Sequence, residues 1–116
     1  MPRIMLVDDD PDVADFLGQV LGDAHSLEHV SDWTKVNSTL KDFAPDLVLM
    51  DLNLPVIKGD SLIRTLRTFH PDLKVVLFSA DDESKLRRIA TEVGASGSIQ
   101  KVFVPSLLLQ KIERFV

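Results

Sequence analysis

Residues 47–51 read Leu47-Val48-Leu49-Met50-Asp51, four apolar side chains in a row followed by an aspartate. So short an apolar run is typical of a strand that is buried on both faces, because a buried helix needs more residues. Similar runs lie at residues 4–7 and 75–78, with a weaker one at 98–100. A more polar run at Ser26–Val30 suits the edge of a sheet. The chain therefore predicts five short strands.

Apolar residues recur at helical spacing between these runs. The segments that show this spacing are residues 11–21, 31–44, 62–69, 86–93 and 108–116. Pro45 and Pro71 end the second and third helices, and Gly94 suits the C-terminal cap of the fourth. Strands that alternate with helices in this way predict a doubly wound, three-layer α/β domain with a parallel sheet. No second boundary is evident, so residues 1–116 are expected to form one domain.

The composition narrows the class of protein. The chain has 116 residues, 45% hydrophobic, and its 13 basic and 18 acidic side chains give a net charge of -5. The absence of cysteine excludes disulfides, thiol nucleophiles and cysteine-bound metal centres, and it suits a reducing compartment. The negative charge argues against nucleic-acid binding by this domain. No apolar run approaches the length of a membrane span, so we expect no membrane association and a cytoplasmic location.

Polar side chains follow four of the predicted strands. They are Asp8-Asp9-Asp10, Asp51, Ser79 and Lys101. Because the carboxyl ends of parallel strands share one edge of the sheet, we expect these groups to converge there. Clustered carboxylates repel one another and need a cation, for which magnesium is the natural candidate. With it, Asp51 could act as a nucleophile toward a phosphoryl group, while Ser79 and Lys101 contact the transferred oxygens.

In these motifs the chain resembles the receiver domains of two-component response regulators, of the chemotaxis-regulator kind, over nearly its whole length. The resemblance rests on residues 7–11 (VDDDP), 45–55 (PDLVLMDLNLP), 78–80 (FSA), 94–97 (GASG) and Lys101. It implies a flavodoxin-like sheet of strand order 2-1-3-4-5. It also implies that a histidine kinase or a histidine phosphotransfer protein phosphorylates Asp51, and that the domain catalyses this transfer to itself as a switch rather than as a turnover enzyme.

The same resemblance implies a magnesium site at the acidic positions. By position, Asp9 and Asp51 would bind the ion directly, Asn53 through its backbone carbonyl, and Asp8 through a water molecule.

The other roles are likewise implied by position. Ser79 would follow the incoming phosphoryl group, Lys101 would pair with the phosphoryl oxygens, and Asp81, like Asn53, would influence hydrolysis of the acyl phosphate. The surface of the fourth helix would contact an output domain or a partner, and formation of a homodimer is left open.

Three positions bear on how closely the family pattern is followed. Val102 stands where the family usually has proline after the lysine, and a cis bond before valine would cost about 2.5–4 kcal/mol, so we expect a trans bond. Ser98 stands where the family usually has an aromatic residue that swings inward, so the readout is expected to be missing or different. Gly59 is expected to occupy a backbone position with positive φ.

Other interpretations stay open at this stage. Ser98 and Val102 are compatible with a pseudo-receiver that binds partners without phosphorylation. A haloacid-dehalogenase-like phosphatase also uses an aspartyl nucleophile, but Asn53 replaces its usual second acid. A flavodoxin-like flavin carrier is disfavoured because no phosphate-binding loop rich in serine or threonine follows the first strand. The histidines are expected to be ordinary surface residues; they are His25, His29 and His70.

Overall fold

The computed structural model describes residues 2–53 and 58–116, and it contains five strands and five helices in alternation. The strands are β1 (Arg3–Val7), β2 (Ser26–Val30), β3 (Leu47–Asp51), β4 (Val75–Ser79) and β5 (Gly97–Gln100). The helices are α1 (Pro11–Leu21), α2 (Val36–Phe43), α3 (Gly59–Phe69), α4 (Glu83–Val93) and α5 (Pro105–Glu113). The predicted β-α alternation is confirmed.

The strands form one parallel sheet in the order β2-β1-β3-β4-β5, as the resemblance implied. β1 lies between β2 and β3, with Val7 opposite Met50. β3 lies beside β4, with Asp51 opposite Phe78. This register brings the carboxyl ends of the three central strands to one edge.

The three central strands are apolar on both faces because helices cover both sides of the sheet. Leu40 of α2, Leu66 of α3 and Leu86 of α4 belong to the buried cluster on one face. Leu17 of α1 and Ile112 of α5 belong to the cluster on the other. Burial on two sides explains why a run such as that of β3 has no polar alternation. The doubly wound, three-layer architecture is confirmed.

Several helix boundaries differ from the predicted segments, and two of these differences have a local explanation in the structure. The Asp32 side chain accepts hydrogen bonds from Thr34 N at 3.0 Å and Oγ1 at 2.8 Å, so the segment before α2 opens with a 3-10 turn at Trp33–Lys35. At the other end of the chain, α5 stops at Glu113, and Phe115 instead packs so closely on Gly97 that a Cβ there would lie 2.6 Å from its ring.

The two ends of the described chain lie at the amino edge of the sheet. Pro2 precedes β1, and it lines one hollow together with Val116 and with Asp46 and Lys74, which stand just before β3 and β4. Within the described residues, no helix has both the length and the apolar character needed to cross a membrane.

Candidate functional site

The carboxyl edge of the sheet gathers three aspartates. Asp8 and Asp9 directly follow β1, and Asp51 is the last residue of β3. One carboxylate oxygen from each lies within 4.8 Å of the other two. Asp8 and Asp51 are buried, at 0% and 5% exposure, whereas Asp9 is exposed. Two of the three carboxylates are therefore buried and the third is exposed to solvent. All the atoms that could bind a cation here are oxygens, the ligands that magnesium prefers.

Asp8 is held by its neighbours but retains one unsatisfied oxygen. Its Oδ1 accepts a hydrogen bond from Asp10 N at 2.9 Å. Its Oδ2 is 2.9 Å from Lys101 Nζ, yet it receives no well-directed hydrogen bond. A buried oxygen in this state fits an additional cation. Asp10 stands apart from the cluster and caps α1, because its side chain accepts a hydrogen bond from Asp12 N.

Lys101 supplies the positive charge of the cluster. Its Nζ lies between two carboxylates, 2.9 Å from Asp8 Oδ2 and 3.6 Å from Asp51 Oδ1, and 5.5 Å from the centre of the Phe78 ring. Its backbone N–H donates to Ser79 O at 2.7 Å. The described residues contain no cis peptide bond, so the bond to Val102 is trans, as predicted.

Burial raises the pKa of the Asp51 carboxyl above its usual range. The backbone N–H of Asn53, 3.2 Å from Asp51 Oδ1, opposes this increase. The negative charge of Asp8 raises the pKa further, the positive charge of Lys101 lowers it, and the negative charge of Asp9 adds a smaller increase. Asp51 is therefore a position where a negative charge is poorly stabilised in the metal-free protein.

Asp51→Asn is expected to stabilise the metal-free fold at neutral pH. Because the folded state binds the Asp51 proton more tightly than the unfolded chain, ionisation of Asp51 reduces wild-type stability as pH rises through the folded-state pKa. Asparagine avoids that loss, for an expected gain of about 0.5–2 kcal/mol, a range typical of stabilising substitutions. Urea unfolding in the presence of a chelator should show a higher free energy of unfolding for Asp51→Asn than for the wild type at pH 7. The difference should disappear below about pH 4, where aspartate in the unfolded chain is protonated. An equal difference at every pH would contradict this explanation.

Ser79 is buried and its hydroxyl faces the loop after β4. Its Oγ donates to Asp81 Oδ2 at 3.1 Å and accepts from Asp81 N at 3.2 Å. Asp81 is tied further: its Oδ1 lies 3.7 Å from Lys85 Nζ, and its backbone oxygen accepts from Gln100 Nε2 at 3.2 Å. To reach a group on Asp51, the hydroxyl would have to leave Asp81.

The remaining predicted positions lie around this cluster. Asn53 is exposed and touches Asp51 through its backbone N–H. Ser98 is half-buried in β5, opposite Leu77, and lies two residues before Gln100 on the same side of the strand. Of the quoted motif, Leu54 and Pro55 lie outside the described residues.

The prediction for Gly59 is wrong. Among the described glycines, positive φ occurs at Gly22 and Gly94. Gly59 is instead the first residue of α3, and a Cβ built on it would lie 2.1 Å from the backbone oxygen of Asp51. Its N–H donates to Leu52 O at 3.0 Å. Glycine is needed here because α3 begins directly against the end of β3.

The prediction that all histidines are surface residues is also wrong. His70 is exposed as expected. His25 is only 9% exposed, and its Nδ1 has no hydrogen-bond partner. His29 is half-buried, and its Nε2 lies 2.6 Å from the backbone oxygen of Asp8. A search for acidic side chains at ligand spacing misses this contact, because the partner is a backbone carbonyl brought close by strand pairing.

Comparison with known proteins agrees with this geometry. The family model described as "Response regulator receiver domain" matches residues 4–113. The transcriptional activator protein ExaE of Pseudomonas putida is 36% identical over 115 residues, covering 96% of this chain and 53% of ExaE. The DNA-binding response regulator MtrA of Mycolicibacterium smegmatis is 32% identical over 111 residues, covering 95% of this chain and 48% of MtrA. The chain thus spans about half the length of these relatives.

A solved structure shows the same fold. The chemotaxis protein CheY4 of Vibrio cholerae superposes with a TM-score of 0.87, covering 100% of this chain and 99% of CheY4 at 22% identity. The sheet order, the acidic cluster at its carboxyl edge and the family match over residues 4–113 all agree. The chain belongs to the family of response regulator receiver domains of two-component systems.

Proposed function

We propose that this domain is a phospho-accepting switch. In the presence of magnesium it catalyses transfer of a phosphoryl group from a histidine kinase or a histidine phosphotransfer protein to Asp51, without acting as a turnover enzyme. The observation that carries the proposal is the buried Asp51 carboxylate, which shares a cluster with Asp8 and Asp9 and lies 3.6 Å from the Lys101 ammonium.

The residues present fit a magnesium ion. Three carboxylates gather their oxygens within 4.8 Å of one another, and one buried oxygen of Asp8 lacks a well-directed hydrogen bond. We propose that Asp9, Asp51 and the Asn53 carbonyl hold the ion directly and that Asp8 holds it through water. When bound, magnesium would offset the carboxylate charge and stabilise charge on the transferred oxygens.

Asp51, Lys101 and Ser79 then take different parts in the phosphoryl transfer. A carboxylate oxygen of Asp51 forms the new O–P bond while the N–P bond of the donor phosphohistidine breaks, and the imidazole leaves with the electron pair of that bond. The Lys101 ammonium is close enough to Asp51 to pair with the negative charge on the transferred phosphoryl oxygens. Ser79 exchanges its hydrogen bond with Asp81 for one with a phosphoryl oxygen.

This exchange provides a route to the output surface without an aromatic residue at Ser98. When Ser79 turns away, Asp81 loses both of its hydrogen bonds with the serine hydroxyl, which help to hold the loop after β4. Asp81 also pairs with Lys85 of α4 and accepts from Gln100 of β5. Loss of the serine contact therefore changes the start of α4, which carries the exposed basic residues Lys85, Arg87 and Arg88. That surface is the proposed contact for a partner or an output domain, in a cytoplasmic protein whose receiver domain itself binds no nucleic acid.

Intact-mass measurement after incubation with magnesium and acetyl phosphate tests the proposal. We expect one phosphoryl group on the wild-type chain and none on Asp51→Asn or in the presence of a chelator. Asp46→Asn is the matched control, because Asp46 stands at the opposite end of β3, where its carboxylate accepts from Arg3 N. It should gain mass like the wild type. Phosphorylation of Asp51→Asn would refute the assignment, and a wild-type chain that neither binds magnesium nor accepts a phosphoryl group would favour the pseudo-receiver.

Ser79→Ala is expected to slow phosphorylation by about 10-fold, less than the roughly 100-fold or more that loss of a donor to developing charge can cost, because Lys101 still faces the transferred oxygens. The initial rate of mass gain measures it. Ser84→Ala is the matched control, since Ser84 is exposed and its hydroxyl donates to Asp82 rather than facing the site. Equal rates for both variants would show that the Ser79 hydroxyl does not reach the phosphoryl group.

A further inference from the structure

The edge strand β2 reaches the acidic turn through His29. Its ring Nε2 lies 2.6 Å from the backbone oxygen of Asp8, across 21 residues of sequence. A carbonyl oxygen can only accept, so Nε2 carries the hydrogen and donates it. The next residue of β2 completes the attachment, because Val30 O accepts a hydrogen bond from Asp8 N at 3.1 Å.

These two bonds fix the backbone on both sides of Asp8. The carbonyl group that accepts the His29 hydrogen bond belongs to the peptide that joins Asp8 to Asp9. Because the peptide group is planar, this hydrogen bond fixes the orientation of the plane and therefore the position of the Asp9 backbone. Asp9 is the member of the cluster that is exposed to solvent. Three carboxylates in one cluster repel one another, and a turn held only at its buried end would relieve that repulsion by swinging Asp9 outward.

We propose that His29 is a positioning residue for the cation site: its hydrogen bond to the Asp8 carbonyl keeps Asp9 in place beside Asp51 for binding of a divalent cation. This inference rests on the magnesium site of the proposed function. His29 does not touch the ion itself. It acts through the peptide plane, as groups behind metal ligands do when they orient those ligands.

Three substitutions separate the hydrogen bond from the bulk of the ring. His29→Gln places an amide N–H about where Nε2 lies, His29→Asn is one bond too short to reach, and His29→Phe keeps the ring without a donor. His70→Gln is the matched control, because His70 is exposed at the end of α3. Calorimetric titration with magnesium chloride gives the dissociation constant for each protein, and urea unfolding gives its stability.

We expect His29→Asn and His29→Phe to bind magnesium about 3- to 10-fold more weakly, the effect of one hydrogen bond. His29→Gln and the control should stay within about twofold of the wild type. If His29→Phe fails to fold, the contrast between asparagine and glutamine decides alone.

Two results would overturn the proposal: unchanged magnesium affinity in His29→Asn, whatever its stability, or equal losses in the glutamine and asparagine variants. Failure of the proposed function is distinguishable from both, since it would appear as a wild-type chain that binds magnesium but accepts no phosphoryl group. A wild-type chain that binds no magnesium would overturn both proposals.

Discussion

Gly59→Ala is expected to lower the free energy of unfolding by about 2–3 kcal/mol, a large value for overpacking. The added methyl carbon would lie 2.1 Å from the backbone oxygen of Asp51 and 2.9 Å from the Cα of Leu52. Both contacts are with backbone, so no flexible side chain can move aside. Either α3 must shift outward or the end of β3 must move, and the second response displaces Asp51.

Gly18→Ala is the matched control, because Gly18 is also helical and exposed, and its nearest neighbour is Leu27 Cδ2 at 3.9 Å. Alanine has the higher helix propensity, so Gly18→Ala should raise stability by about 0.5–1 kcal/mol. Urea unfolding of both variants measures the contrast. If Gly59→Ala stabilised the protein as Gly18→Ala does, the close approach of α3 to β3 would be wrong.

Lys101→Met is expected to destabilise the metal-free protein by about 3 kcal/mol, as loss of one partner from a buried ion pair does. The methionine fills similar space but leaves the carboxylates of Asp8 and Asp51 without their ammonium. Lys111→Met is the matched control. Lys111 pairs with the half-exposed Glu83 at 3.4 Å, and such a surface pair contributes less than about 1 kcal/mol.

Magnesium should restore part of that loss. If the proposed magnesium site exists, the metal and the ammonium would compete for the carboxylate oxygens in the wild type, whereas in Lys101→Met the metal would be the remaining source of positive charge. Added magnesium should therefore raise the stability of Lys101→Met more than that of the wild type. Its phosphorylation should still be slower by about 100-fold, because no ammonium follows the transferred charge. An identical magnesium response in both proteins would show that Lys101 does not share the cation site.

The sequence predicts the positions of most site residues because the short apolar runs indicate where each strand ends. Four apolar residues before Asp51 imply a strand buried on both faces, and a parallel sheet then places that residue at the same edge as Asp8 and Lys101. Their convergence needs only the direction of each strand, and the structure shows it.

Contacts that depend on register or on backbone atoms were not accessible in this way. The spacing of His29 reveals no partner, since its hydrogen bond goes to a carbonyl of another strand. Position 59 requires glycine because of close approach and not because of positive φ, and the sequence alone does not separate these two reasons. The hydrogen bonds that Asp81 accepts from Ser79 and from Gln100 likewise depend on the path of a loop that the sequence leaves open.

The hollow that Pro2 and Val116 share at the amino edge of the sheet has a practical consequence. Each strand runs from that edge to the one that carries the acidic cluster, so the full length of a strand separates Pro2 and Val116 from Asp51. A tag or a surface linker attached at either end would leave the acidic edge facing the solution. Immobilised receiver domain could thus be used to capture phosphodonor proteins, with Asp51→Asn on a parallel surface as the reference.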